Sequence, residues 1–165
     1  MRKLLLIFSL LLMAGCGDKG NESAFGIIWD EKVSNISFID KDKCESKDEV
    51  TTCEIGSISP FNKWSRSNEL IFLNDRLESI KVTITASSDN PSDMDEFKNN
   101  LLSELDFISK SGAGIEKIDE IKSQCIDGNC TEYSELIKTK NGDVKTWITV
   151  PPTTIYPVAV ITYSK

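Results

Sequence analysis

Two turn signals, each set between runs of apolar and β-branched residues, constrain this chain more than any other feature. Asn74-Asp75 follows the run LIFL at 70–73 and precedes the alternating stretch 76–85 (RLESIKVTIT). As a two-residue turn it predicts Leu73 opposite Arg76 and Ile71 opposite Glu78. Ile71 and Leu73 would then share a core face with Ile80, Val82 and Ile84. The second signal is Lys140-Asn141-Gly142-Asp143, where an Asn-Gly centre pairs Leu136 with Trp147 and Ile137 with Thr146. Further strands are predicted at 25–29 (FGIIW), 33–39 (VSNISFI), 50–58 (VTTCEIGSI) and 158–163 (VAVITY), each rich in β-branched or aromatic types.

Between the two hairpins lies one segment with helical period. Met94, Phe97, Leu101, Leu102, Leu105 and Ile108 recur at three- and four-residue spacing and predict a helix over about 93–110. Ser92 is the expected N-cap, acidic residues crowd the first turn, and Gly112 and Gly114 supply the stop. Ile115, Ile118 and Ile121 suit a short second helix better than a strand. Strands, a helix, then strands with hairpin connections define an α+β domain: an antiparallel sheet with one main amphipathic helix packed on one face.

The N-terminus has a different character. Arg2 and Lys3 precede an apolar run over 4–14 (LLLIFSLLLMA) interrupted by Ser9 alone. Eleven helical residues rise about 16 Å, roughly half of a ~30 Å hydrocarbon core, so the run is too short to span a bilayer. A basic start, a short apolar stretch and small residues together read as a secretory signal peptide. Leu12-Met13-Ala14-Gly15-Cys16 resembles the lipobox of bacterial lipoproteins. The resemblance covers the first 16 residues and implies diacylglyceryl attachment to the Cys16 thiol, cleavage after Gly15 and acylation of the new amino end. Gly17 following Cys16 favours the outer membrane, facing the periplasm. The alternative is an ordinary signal peptide in which Cys16 is incidental. The expected organisation is thus a leader at 1–15, a lipidated Cys16 with a tether at 16–23, and a single domain at 24–165.

Four cysteines remain: Cys44, Cys53, Cys125 and Cys130. An even number in an exported chain points to disulfides, and three connectivities are open. The local pairing, Cys44 with Cys53 and Cys125 with Cys130, is favoured because each pair flanks a turn-like stretch. A four-thiolate zinc site would want cysteines two to four residues apart on both halves, and the C-x-x-C of a redox site is missing.

The chain of 165 residues has no histidine, which removes Ser-His-Asp and Cys-His nucleophiles and His-based metal sites. No G-x-S-x-G, S-x-x-K or phosphate-binding glycine loop is present. Asp40, Asp42 and Glu45 could approach a calcium ion, but Glu45 stands where an EF-hand loop needs glycine, and a solvated charge run beside a disulfide is the plainer account. We therefore expect no catalytic residues, no metal and no cofactor. Nineteen basic residues against 26 acidic give a net charge of −7. Loss of residues 1–15 would remove Arg2 and Lys3 and bring it to −9. Such a surface does not suit nucleic acid, and it leaves membrane attachment to the lipid.

The aromatic residues Trp64, Phe61, Trp29, Tyr156 and Trp147 are the candidates for a contact surface, since Trp and Tyr are enriched at binding hot spots. Trp64, in the polar stretch Asn62-Lys63-Trp64-Ser65-Arg66, leads them. The function expected is a lipid-anchored, non-enzymatic protein-interaction module of the envelope, of an assembly, inhibitor or immunity type. The alternatives are a carrier of a small apolar ligand and a carboxylate-based wall or glycan hydrolase.

Overall fold

The structure is a computed structural model describing residues 21–87, 90, 92–128, 130–150 and 156–165. The expected leader at 1–15, Cys16 and the first part of the tether lie outside the described residues. Seven strands form one antiparallel sheet: β1 (Cys44–Lys47), β2 (Val50–Ile55), β3 (Ser67–Leu73), β4 (Arg76–Ile84), β5 (Glu132–Thr139), β6 (Gly142–Thr149) and β7 (Val158–Ser164). Their order is β1-β2-β3-β4-β7-β6-β5. Helices α1 (Met94–Lys110) and α2 (Ile115–Ile121) come between β4 and β5, so the chain crosses the sheet through its helical layer before returning strand by strand to β4. The class is α+β, with two helices and two disulfides. Among the described residues no helix is long and apolar enough to cross a membrane.

The core lies between one sheet face and the helices. Leu70, Phe72, Ile80, Val82, Ile84, Ile148 and Ile161 face Phe97, Leu101, Leu105 and Ile108 of α1, all fully buried. Burying side chains of this size contributes about 1.5–3 kcal/mol each. Asp93, one residue later than expected, caps α1: its carboxylate accepts from the Glu96 amide at 2.9 Å. It thus satisfies an orphan donor and places a negative charge at the positive end of the helix. Ile118 and Ile121 are buried from α2, Ile115 is exposed, and a π turn (Lys122–Ile126) follows directly.

Both hairpins differ in register from the expectation. Asn74 and Asp75 have φ of 51° and 63°, a mirror-image turn that sets Leu73 opposite Arg76. One step on, Phe72 pairs with Leu77 while Ile71 pairs with Ser79, so Glu78 is the extra residue of a β-bulge. The bulge reverses the alternation. Leu70 and Phe72 therefore face the core, Ile71 is half-buried on the other face and Leu73 is exposed.

In the second hairpin the loop is Lys140-Asn141, and Thr139 pairs with Gly142. Ile137 opposes Val144 and Leu136 opposes Lys145, each two residues short of the expected partner. Gly142 is used for close approach rather than as turn centre. Its φ is +121°, and a Cβ there would lie 2.1 Å from the Ser164 carbonyl oxygen of the neighbouring strand.

The stretches 25–29 and 33–39 are not strands. Ser23 Oγ accepts from the amides of Phe25 and Ile27, and Gly26 has a φ of 72°, which folds the first stretch into a turn. Among the described residues its strand-type pairing is limited to the single bridges Glu22 with Ile28 and Lys32 with Arg76. Val33–Asn35 forms a short 3₁₀ turn. Local side-chain hydrogen bonds offer the backbone an alternative to a ladder, and here they outweigh β-propensity. The folded body already includes Asn21, Glu22 and Ser23: the Asn21 carbonyl accepts from the Trp29 amide, and Ser23 is buried. It thus begins earlier than the expected boundary at residue 24.

Cys44 stands directly opposite Cys53 on β1 and β2, with Cα atoms 4.0 Å apart, and the two are disulfide-bonded. Cys125 and Cys130 close a five-residue separation around the π turn.

Candidate functional site

Residues 56–66 join β2 to β3 and carry the Asn62-Lys63-Trp64-Ser65-Arg66 stretch. Buried polar contacts fix this loop. Asn68, fully buried on β3, donates to the Gly56 carbonyl at 3.2 Å and to Ser65 Oγ at 3.0 Å. Ser65 Oγ donates to the Asn62 carbonyl at 2.7 Å, and Ser57 Oγ donates to the Ser65 carbonyl. Phe61 plugs the loop into the core, its ring 5.0 Å from Phe25 and 6.1 Å from Phe38.

Beneath the loop lies Glu104, a wholly buried carboxyl on the core side of α1. Its Oε2 accepts from Trp64 Nε1 at 2.7 Å and Asn62 Nδ2 at 3.0 Å, and its Oε1 accepts from the Tyr163 hydroxyl at 2.5 Å. Burial raises the Glu104 pKa above the usual carboxylate value, opposed by these three donors. Tyr163 is held well above its ordinary value by burial and by the neighbouring carboxyl. The cluster ties helix, loop and β7 together with every donor aimed inward, so it is a rigid support rather than an exposed reactive group.

Trp64, Lys63 and Arg66 form one wall of a surface cleft of about 240 Å³; Thr85 follows the end of β4, and Glu96 and Asn100 of α1 complete it. Ser59 and Pro60 of the same loop also border an open groove of about 410 Å³ of mixed lining, apolar from Phe25, Ile27, Ile36 and Phe38 and polar from Glu31 and Asn35.

The aromatic candidates separate clearly. Trp29 and Phe61 are buried core residues and cannot form an exposed contact surface. The Trp29 indole donates to the Asn141 carbonyl at 3.0 Å, locking the N-terminal turn onto the β5–β6 loop. Trp64 is half-buried, Tyr156 is exposed, and Trp147 is 39% exposed on β6. Asp40 caps a 3₁₀ turn (Lys41–Lys43) through the Asp42 amide, and among the described residues no three His, Cys, Asp or Glu side chains converge to hold a metal.

The sheet face away from the helices forms a second surface. Trp147 pairs across it with Ser134 and Val160, with Leu136 (49% exposed) one diagonal step away. At the far end Val50 and Leu73 pair directly, 40% and 41% exposed. Glu54 opposes Glu69 on the same face, and Glu69 binds Lys81 at 2.9 Å.

No family model, curated protein or solved structure matches this chain.

Proposed function

We propose that this chain is a lipid-anchored envelope protein, attached through Cys16 and facing the periplasm from the outer membrane, that acts as a non-enzymatic protein-interaction module. The observation that carries this reading is the bare sheet face. The helices, the N-terminal turns and the 56–66 loop pack on one face of the sheet, while the other presents Leu136 with Trp147 at one end and Val50 with Leu73 at the other. Antiparallel sheets tolerate water on one face when that face is polar, whereas paired exposed apolar residues mark contact sites. Mixed charge between the two apolar ends suits a partner protein, with Trp147 as the anchoring side chain.

The test is crosslinking and affinity purification of the lipidated protein from its own envelope, with Cys16→Ser and Leu136→Ser/Trp147→Ser as comparisons. We expect one dominant partner, reduced by loss of the lipid and lost with the face double variant, which keeps its fold because both side chains are exposed. Capture that ignores the face variant would reject the surface, and absence of any partner would reject the module.

A second reading, carriage of a small apolar ligand, draws support from the groove beside Phe25 and Phe38. Native mass spectrometry of gently isolated protein tests it, and an empty domain would count against it.

A further inference from the structure

The cleft between the 56–66 loop and α1 has a charge arrangement that the sheet face does not share. Its loop wall carries two cations, Lys63 and Arg66, both exposed. Its helix wall carries Glu96. Among the described residues neither cation forms an ion pair, with Glu96 or with any other carboxylate. Opposite charges thus face one cavity without closing on each other.

The hydroxyls define the cleft further. Ser57 Oγ donates to the Ser65 carbonyl, and Thr85 Oγ1 donates to the Ala86 carbonyl at 2.8 Å. With their single protons spent internally, both offer a ligand only lone pairs. The loop thus supplies cationic donors in Lys63 and Arg66, α1 supplies the acceptor Glu96, and Ser57 and Thr85 add lone pairs to the lining. A simple anion would leave Glu96 repelling it, and a simple cation would meet Lys63 and Arg66.

We propose that this cleft is a binding site for a small zwitterion of the amino-acid or dipeptide class, its carboxylate held by Lys63 and Arg66 and its ammonium by Glu96. A volume of about 240 Å³ is below the roughly 300–1,000 Å³ of sites for drug-sized ligands, so the occupant is small. Arg66 supplies the planar fork that matches a carboxylate, and Lys63 a point charge. Trp64 lines the cleft between the two cations and is held in place by its indole bond to Glu104 at 2.7 Å. That fixed loop lowers the ordering cost of binding. The inference is independent of the protein-interaction reading, which rests on the sheet face.

The test uses the full chain carrying Cys16→Ser, titrated with alanyl-alanine, its N-acetyl form and its C-terminal amide, with calorimetry or amide NMR shifts as readout. The free dipeptide should bind, and capping either end should weaken binding about tenfold, the loss of one charge-assisted contact. Lys63→Gln/Arg66→Gln should make the amide and the free acid bind alike, and Glu96→Gln should do the same for the acetylated and free amines. Lys63 and Arg66 are exposed and Glu96 is half-buried in the first turn of α1, so circular dichroism should show an unchanged fold. Three outcomes would overturn the site: no binding of the dipeptide, equal binding of all three forms, or capping penalties that survive both substitutions. Stronger binding of inorganic phosphate, improved by Glu96→Gln, would also overturn it in favour of an anion site.

Discussion

Glu104 and Tyr163, 59 residues apart in sequence, meet through a 2.5 Å hydrogen bond in the interior, where α1 packs over β7. Among the described residues the carboxyl forms no ion pair; its other contacts come from the neutral donors Trp64 and Asn62.

This gives the first prediction, a pH dependence of stability. Burial raises the Glu104 pKa in the folded state above the unfolded value of 4.5. The folded protein therefore binds the proton more tightly than the unfolded chain. Its stabilising share is complete below the unfolded pKa and is lost as pH rises through the folded one. Urea unfolding across that window should show stability falling with pH, and Glu104→Gln should flatten the slope while keeping most of the contacts. Glu104→Ala leaves the buried Tyr163 hydroxyl and the half-buried Trp64 and Asn62 donors unsatisfied and opens a cavity, so it should cost about 2–4 kcal/mol. A slope unchanged in Glu104→Gln would assign the pH dependence elsewhere.

Gly142 is the second target. Its φ of +121° is a region L side chains avoid, and an added Cβ would meet the Ser164 backbone, which belongs to a paired strand and cannot swing aside. Gly142→Ala should destabilise by about 1–3 kcal/mol, the usual range for a forced backbone conformation. Hydrogen exchange should localise the loss to β6 and β7. Asn141→Gly tests the converse: it gives up the side-chain bond to the Glu22 carbonyl while the strand register stays as it is.

The bulge at Glu78 separates two neighbours that alternation alone would misassign. Ile71→Ala should change stability by well under 1.5 kcal/mol because the side chain stands on the bare face. Phe72→Ala should cost about 3–5 kcal/mol because the ring is fully buried. Chemical denaturation of the two variants checks this directly, and equal losses would place the bulge elsewhere.

Those positions also show what was legible beforehand. The α1 stripe, the two turns and the last strand follow from periodicity and turn chemistry, which are local. A bulge changes which side chains face inward without altering composition, so alternation read at constant period assigns Ile71 and Leu73 to the core; the one-residue loop shift of the second hairpin moves each partner by two and leaves the faces as they were. The segment from Phe25 to Ile39 has strand-like residues, yet Ser23 and Gly26 turn it back on itself.

The Trp64 stretch was visible as an aromatic among polar residues. Its support was not, because Asn62, Trp64 and Tyr163 converge on Glu104 only in three dimensions. One trace existed: Glu104 falls at heptad spacing with Phe97, Leu101 and Ile108, placing an acid on the apolar stripe. The cleft opposite Glu96 has no linear signature, since its walls lie about thirty residues apart.

The disulfides should contribute unequally to order. Cys44–Cys53 pins β1, a four-residue edge strand with one neighbour. Its ten-residue loop is worth about 2–3 kcal/mol in the chain-entropy model, and the six-residue loop of Cys125–Cys130 slightly less. The consequences should differ more than these energies. Replacing Cys44 and Cys53 with alanine should raise exchange in β1 and leave β3 to β7 protected, because β2 keeps its ladder to β3. Replacing Cys125 and Cys130 releases the π turn that carries buried Cys125, beside α2 and the start of β5. Exchange should then spread into α2 and weaken the Lys117–Glu135 ion pair, 3.0 Å across to β5. Confinement of the second effect to residues 122–130 would show that α2 is held by Ile118 and Ile121 alone.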